Sequence, residues 1–272
     1  MGCDGELWIP PSYYVQMSTI ILTFRTSEGF VIASDGRKSG PEDGHILSDV
    51  AQKIFPLKDR GIHLAYALAG TLHLGEVLAG QAGDRVIFDF SVETATATNV
   101  LASSKPSSWW NFVSDLTKSI SRSLDRARSG STYSLDKESE TIVFVGGFYG
   151  KHLKSAHIKF RHGLRTSEAE PFLHPPGFNA PHGSGKIFEL IDNGDPRFAK
   201  YRNPRRDSVV TLSAAIERAL NDIHAHCDPE ALQIDKETCQ GIGGRIQIAT
   251  ITPADGFKWV PGFEPEPTIS RP

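Results

Sequence analysis

A hydroxyl, a carboxylate and an ammonium group follow one another early in the chain. Thr19 begins an apolar run, Asp35 ends the next such run, and Lys53 precedes a third. If the peptide bond before Thr19 were cut, the threonine hydroxyl could attack a carbonyl carbon and the freed α-amine could act as its base. An α-amine suits this role because its ordinary pKa is about 8, against about 10.4 for a lysine. The three residues therefore indicate a nucleophilic hydrolase in which Lys53, kept charged by Asp35, lowers the pKa of the threonine hydroxyl.

Two further residues complete the predicted site. Gly70 ends a fourth apolar run, where a backbone N–H without an obstructing side chain could donate to an oxyanion. Arg37, close to Asp35 in the sequence, is predicted to be a structural ion-pair partner for the site rather than a catalyst. Hydroxyl, carboxylate, ammonium and backbone donor are together the parts of an N-terminal-nucleophile hydrolase.

Periodicity predicts the elements that must position these residues. An opening hairpin joins residues 19–26 and 30–35 through a short turn, with Gly29 as the left-handed residue of a bulge. Apolar residues at four-residue intervals predict a helix over 107–128, and a second long helix is predicted over 208–227. The other predicted elements are strands over 53–57, 62–70, 141–149 and 153–160, a last hairpin over 245–260, a helical start over 71–81, and a strand or strand-to-helix junction over 183–191. Hairpins separated by helices predict an α+β fold, an antiparallel sandwich with helices on its outer faces.

Composition excludes several classes of function. The 272 residues carry a net charge of -3 with mixed signs, so no general basic field is available for nucleic acid or an anionic membrane. Three scattered cysteines are too few for a disulfide framework and favour a reducing cytoplasm. No apolar segment is long enough to cross a bilayer, and the first residues lack the features of a secretory signal. We expect a cytoplasmic protein with an N-terminal extension or propeptide-like arm over 1–17 and a C-terminal tail over 261–272.

Neither a metal site nor a phosphate-binding loop is predicted. Five histidines lie between residues 152 and 182, but their spacing matches no common ligand motif. The GSGK stretch lacks the first glycine and the following Ser or Thr of a phosphate-binding loop. We therefore predict no metal and no cofactor. The histidines are His152, His157, His162, His174 and His182.

The order of these motifs resembles the 20S proteasome β-subunit family and its bacterial relatives. The opening hairpin with VIASDGRKS, the KIFPL stretch with Lys53, and LAYALAG ending at Gly70 resemble the family's nucleophile hairpin, lysine strand and oxyanion strand. HGSG resembles the family's later Gly-Ser-Gly, whose serine, here Ser184, supports the amine of the nucleophile. The helix from 208 and GIGGRIQIATITPADGF resemble its closing helix and hairpin.

This resemblance implies a four-layer αββα sandwich of two antiparallel sheets over residues 18–260. It also implies threonine-type endopeptidase activity on peptides or unfolded protein, inside a self-compartmentalising ring of like subunits with an ATPase regulator as a candidate partner. The resemblance assigns the catalytic positions to five residues, which are Thr19, Asp35, Lys53, Gly70 and Ser184.

Two departures from the family pattern keep alternatives open. Cys239 and Ile242 stand where the family carries an Asp and a Ser before its late Gly-Gly pair, so part of the hydrogen-bond support for the amine is missing. Ser18 stands where self-processing subunits present glycine, and a start at Met17 would expose Ser18 instead of Thr19. The alternatives are a catalytically inactive scaffold subunit that keeps residues 1–16 as an arm, and a hydrolase of small amides.

Overall fold

Every strand pair among the described residues of the computed structural model is antiparallel. The structure describes residues 19–39, 46–59, 62–77, 84–104, 107–129, 139–162, 167–175, 179, 181–201 and 211–266. The predicted arm over 1–17, Ser18 and the last part of the predicted tail, 267–272, lie outside the described residues. The prediction of a mixed α+β fold built on antiparallel sheets is confirmed.

The opening hairpin lies at the centre of the first sheet. Its two strands pair in continuous register from Ile21 opposite Ser34 to Arg25 opposite Phe30. The closing hairpin pairs with the second of these strands, so residues from the two ends of the described chain meet in one sheet. The strand order is β12 (Pro181–His182), β1 (Ile21–Arg25), β2 (Phe30–Ser34), β13 (Gln247–Thr252) and β14 (Gly256–Trp259).

The second sheet contains the two longest strands. They form a hairpin across a turn at Gly150 and Lys151, and the two strands were predicted over 141–149 and 153–160. Pro56 lies in the strand at one edge of this sheet, where a missing N–H removes no hydrogen bond from a central ladder. The strand order is β11 (Ser167–Leu173), β10 (His152–His162), β9 (Ser139–Tyr149), β6 (Ile62–Gly70) and β5 (Ile54–Asp59).

Two short ribbons stand apart from the two sheets, and one of them corrects a prediction. The ribbons are β3 (Lys38–Ser39) with β4 (Ile46–Ser48), and β7 (His73–Val77) with β8 (Asp84–Asp89). The helical start predicted over 71–81 is wrong, because residues 73–77 form β7. Leu72 and Leu74 are both buried, and their two-residue spacing is that of a strand.

Helices lie on two separate apolar surfaces. The apolar residues predicted at four-residue intervals lie on α2. They pack, together with residues of α1, against the second sheet. Residues of α3 and α4 pack against the first sheet in another cluster, which also contains Phe263 of the predicted tail. The helices are α1 (Phe90–Ser104), α2 (Trp109–Ser129), α3 (Gly185–Asn193), α4 (Leu212–His226), α5 (Pro229–Ile234) and α6 (Lys236–Cys239), with a 3-10 helix over Pro196–Tyr201.

A third apolar cluster joins the two sheets face to face. Strand alternation directs Phe30 and Ile32 of β2 into this cluster, whereas Val31 contacts the helix-covered side. The second sheet contributes residues such as Phe144. A Cβ at Gly146 of β9 would lie 2.6 Å from the Phe30 ring, so this ring packs directly against the backbone of β9 at a position without a side chain.

The turn of the opening hairpin departs from its predicted conformation. Gly29 was expected in a left-handed conformation, but its φ lies outside that region. A Cβ there would lie 2.5 Å from the carbonyl oxygen of Ile251 on the neighbouring strand. Glycine is required at this turn by the close approach of β13 and not by a bulge.

The contact between the sheets gives a testable pair of substitutions. Gly146→Ala should lower the free energy of unfolding by about 2 kcal/mol, because the added methyl group overpacks the Phe30 ring. Gly185→Ala is the matched control, since a Cβ at Gly185 meets nothing within 4 Å and should leave stability unchanged or slightly raised. Urea unfolding followed by circular dichroism measures both. Equal stabilities for the two variants would contradict the face-to-face packing at Gly146.

Candidate active site

The carboxylate of Asp35 is fully buried and accepts four hydrogen bonds. Its Oδ1 accepts from the backbone N–H of Ile20 at 3.1 Å and from Lys53 Nζ at 2.8 Å. Its Oδ2 accepts from the backbone N–H groups of Arg37 and Gly243, each at 3.1 Å. An ionised carboxylate removed from water needs this degree of pairing. The four donors therefore fix the anion at the end of β2.

The ammonium of Lys53 joins the carboxylate to the hydroxyl. Lys53 Nζ donates to Thr19 Oγ1 at 2.9 Å and to Asp35 Oδ1 at 2.8 Å, and both charged side chains are completely buried. Burial lowers the pKa of Lys53 below its ordinary value; the contact with Asp35 opposes this shift and Arg37 adds to it. A hydroxyl hydrogen-bonded to such a cation is stabilised as it loses its proton.

A glutamine that the sequence analysis missed holds the backbone at Lys53. Gln247 Oε1 accepts from the Lys53 N–H at 3.1 Å, and its Nε2 donates to the carbonyl of Ala51 at 2.6 Å. The side chain is fully buried. A lone amide within the apolar IQIATI run was the available signal, because a buried amide needs partners for its donors and its acceptor.

Arg37 forms an ion pair beside the site. Its Nε donates to Asp49 Oδ1 at 2.8 Å, and its Nη1 donates to the Ile242 carbonyl at 3.5 Å. A Cβ at Gly243 would lie 2.7 Å from the guanidinium carbon, so glycine is required beneath it. The backbone N–H of Arg37 also donates to Oδ2 of Asp35.

Gly70 lies at the end of β6, close to the lysine segment. Leu68, two residues earlier, donates its N–H to the Lys53 carbonyl at 3.3 Å. Gly70 itself adopts φ +88°, and a Cβ there would collide with the carbonyl oxygen of Glu140. The left-handed backbone and the lack of space for a Cβ each require glycine at this position, independently of any catalytic role.

Ser184 has partners other than Thr19. Its Oγ donates to Asp235 Oδ2 at 2.6 Å and accepts from the N–H of Ile187, which makes it the N-cap of α3. Burial alone would raise the pKa of Asp235, but hydrogen bonds from Ser184 and Thr238 outweigh it and hold this pKa below its usual value. Asp235, which the sequence analysis missed, lies 51 residues away in sequence and gave no signal of this contact.

Cys239 and Ile242, two of the positions that depart from the proteasome-like pattern, are both buried. Ile242 packs into the apolar cluster between the first sheet and its helices. Burial raises the pKa of Cys239 to about 12, with Asp235 adding to the shift, so this cysteine stays a neutral thiol. Both line a cavity of about 320 Å³ on the Arg37 side of the site.

Two of the five histidines form a partly buried polar chain with Ser155 on the second sheet. His157 Nδ1 lies 2.8 Å from His174 Nε2, and His174 Nδ1 lies 3.0 Å from Ser155 Oγ. Burial, together with the nearby His157 and Arg25, lowers the pKa of His174 to about 4. His182 of β12 pairs with Ile21 of β1, and burial lowers the pKa of His182 to about 4. In the described part of the chain, no three His, Cys, Asp or Glu side chains are placed to hold a metal ion.

The arrangement brings three of the predicted residues into direct contact. Thr19, Lys53 and Asp35 form a continuous chain of hydrogen bonds from hydroxyl to carboxylate. Gly70 is held nearby through its strand, and Ser184 is engaged with Asp235. A hydroxyl next to a buried cation can serve as a nucleophile once a base is present to take its proton.

Comparison of the sequence with protein-family models and with curated proteins returns no match. Among the described helices, none combines the length and the apolar character that a membrane span requires.

The four-donor environment of Asp35 predicts a large stability effect. Asp35→Asn replaces one acceptor oxygen by an NH₂ group that faces other donors and leaves Lys53 as an unpaired buried charge. It should lower the free energy of unfolding by about 3 to 5 kcal/mol. Asp49→Asn is the matched control, because Asp49 is 47% exposed and its ion pair should contribute less than about 1 kcal/mol. Similar losses for both variants in urea unfolding would contradict the role given to Asp35.

The depressed pKa of His174 predicts acid sensitivity. A histidine in the unfolded chain has a pKa of about 6.5, so between pH 7 and 5 the unfolded chain binds a proton that the folded chain rejects. This single group should reduce the free energy of unfolding by about 2 kcal/mol over that interval. His174→Gln should remove that part of the pH dependence. The exposed His224 supplies the matched control, His224→Gln, and an unchanged pH dependence in His174→Gln would refute the assignment.

Proposed function

We propose that this chain is an N-terminal-nucleophile hydrolase of the proteasome β-subunit type that cleaves peptide bonds with Thr19. The observation that carries the proposal is the 2.9 Å contact between Lys53 Nζ and Thr19 Oγ1, with the lysine paired to the fully buried Asp35. The helix clusters on the outer surfaces of two facing sheets support the four-layer αββα sandwich that the resemblance implies.

Removal of the residues before Thr19 is the first requirement of this mechanism. In the uncut chain the nitrogen of Thr19 belongs to a peptide bond and has no basic lone pair. Thr19 is also only 2% exposed. Cleavage of the Ser18–Thr19 bond would supply a free amine in contact with the hydroxyl and open the residue to substrate.

Peptide cleavage would then proceed through an ester. The Thr19 α-amine takes the hydroxyl proton as Oγ1 bonds to the substrate carbonyl carbon, and the N–H of Gly70 donates to the resulting oxyanion. The C–N bond breaks as the α-ammonium returns its proton to the leaving amine, which leaves an acyl ester on Thr19. Water, deprotonated by the same α-amine, cleaves the ester and restores the hydroxyl. Lys53 stabilises the negative charge on Oγ1 throughout.

Assembly into a ring of like subunits is the quaternary part of the proposal. Rings of this type confine the site to an interior chamber and admit peptides or unfolded chains, with an ATPase regulator as the candidate partner. Exposed apolar side chains on the helical surface of α1 and α2, among them Val92, Val100 and Trp110, support a contact there.

One observation favours the inactive scaffold subunit as the second candidate. The hydroxyl of Ser184 is paired with Asp235, and Ile242 lies in an apolar cluster. The hydroxyl proton of Ser184 is therefore already used, and the Ile242 side chain has no polar atom, so a Thr19 amine would be less well oriented than in a family member with the full set of donors and acceptors.

The decisive experiment creates the free amine after folding. A full chain carrying a specific protease site immediately before Thr19, cut after purification, should hydrolyse a fluorogenic peptide and be labelled at Thr19 by a peptide epoxyketone. Thr19→Ala should abolish both reactions, and Lys53→Ala should reduce turnover by at least about a thousandfold, because the activated hydroxyl is lost.

The uncut chain is the matched control and should be inactive. Cleavage of a small amide without cleavage of peptides would favour the small-amide alternative. A cut chain that is folded by circular dichroism yet neither cleaves nor labels would refute the peptidase proposal and favour the scaffold. Intact mass of the protein purified from its source distinguishes the same alternatives, since only an enzyme is expected to begin at Thr19.

A further inference from the structure

A buried glutamine connects the two sheets at the proposed site. Gln247 begins β13 of the first sheet, and its side chain is fully buried. Ala249 and Ile251 of the same strand lie in the apolar cluster between the sheets, whereas Ile248 contacts the helix-covered side. Because side chains alternate along a strand, the amide of Gln247 lies on the side that faces the second sheet.

The amide of Gln247 binds the chain segment from which Lys53 projects. Its Oε1 accepts from the Lys53 N–H at 3.1 Å, and its Nε2 donates to the Ala51 carbonyl at 2.6 Å. Lys53 directly precedes β5 of the second sheet, and its own carbonyl accepts from the N–H of Leu68 on β6 at 3.3 Å. One side chain of the first sheet therefore satisfies two backbone groups of a segment that leads into the second sheet.

This connection matters because the groups of the proposed site come from different sheets. Thr19 precedes β1 and Asp35 follows β2, so the hydroxyl and the carboxylate are fixed to the first sheet. The ammonium lies at the end of a flexible four-carbon side chain that starts before β5. A shift of the Lys53 backbone relative to the first sheet would change the 2.9 Å distance from Nζ to the Thr19 hydroxyl. A misplacement of about 1 Å can slow an enzymatic reaction about a hundredfold.

The glutamine is fixed to the strand that ends at the carboxylate. Gln247 lies opposite Ser34, which immediately precedes Asp35. Slightly earlier in the same segment, the N–H of Gly243 donates to Asp35 Oδ2 at 3.1 Å. This short segment thus binds both members of the buried ion pair, one through a backbone N–H and the other through the glutamine amide.

We propose that Gln247 is a positioning residue whose amide fixes the backbone of Lys53 and thereby the distance from its ammonium to the Thr19 hydroxyl. This inference rests on the proposed peptidase function of Thr19. Gln247 acts through the lysine and not on the substrate. Its loss should therefore slow the chemical step and leave substrate binding unchanged.

The kinetics of the cut chain test this role. Gln247→Met keeps the length of the side chain but removes both hydrogen bonds, so kcat should fall about a hundredfold while KM changes less than about threefold. Gln247→Asn keeps an amide that is one methylene shorter, and kcat should fall about tenfold. An unchanged kcat in folded Gln247→Met, or a loss that appears only in KM, would overturn the inference.

The matched control is a glutamine on the same segment. Gln52 is exposed and donates its Nε2 to the Ile54 carbonyl at 2.8 Å, away from the buried ion pair. Gln52→Met removes an amide of the same kind and should change kcat less than about twofold. A loss as large as that of Gln247→Met would contradict a specific role for Gln247.

The ammonium of Lys53 gives a readout that does not need catalysis. In the uncut full chain with ¹⁵N-labelled lysine, NMR should show slow exchange of its buried protons with water. Gln247→Met should speed this exchange at least about tenfold, because the lysine segment is released, and Gln52→Met should not.

The two readouts separate this inference from the peptidase proposal. If the cut chain cleaves nothing but Gln247→Met speeds the exchange, Gln247 still positions Lys53 and the peptidase proposal fails. Unchanged exchange in a variant that is folded by circular dichroism would overturn the inference. If Gln247→Met does not fold, Gln247→Asn provides the same comparison.

Discussion

A single carboxylate without access to water sets the geometry of the proposed site. Asp35 has to be paired wherever it is buried, and its four donors come from segments that are far apart in the sequence. The start of β1, the end of β2, the lysine before β5 and the loop before β13 are fixed to one another at this point. Loss of the Lys53 pairing would leave a buried, uncompensated charge, at a cost of several kcal/mol.

Much of this arrangement follows from short-range sequence features. Asp35 and Lys53 stand at the boundaries of apolar runs, where strands begin or end, and that position allowed their meeting with Thr19 to be predicted. The apolar stripe of α2 and the strands β9 and β10 could also be predicted from the sequence. The stripe shows as helical periodicity, and the two strands are separated by one short turn. The opening hairpin was placed correctly, although the reason given for its glycine was wrong.

The remaining features depend on contacts that no local pattern encodes. Gly243 donates to Asp35 across 208 residues, and Ser184 meets Asp235 across 51. The helix α1 is rich in threonine and valine, residues with low helix propensity, and tertiary packing on the second sheet overrides that preference. Its Thr98 hydroxyl bonds back to the Thr94 carbonyl, which satisfies the side chain within the helix.

Gly70 at the end of β6 is required by the fold independently of any catalytic role. Gly70 has a left-handed backbone and leaves no room for a Cβ beside Glu140, whether or not an oxyanion ever forms there. A descendant that lost its nucleophile would still be selected to keep this glycine in order to fold. Its presence in a distant homologue is therefore evidence of shared architecture, whereas a paired threonine and lysine would be evidence of inherited activity.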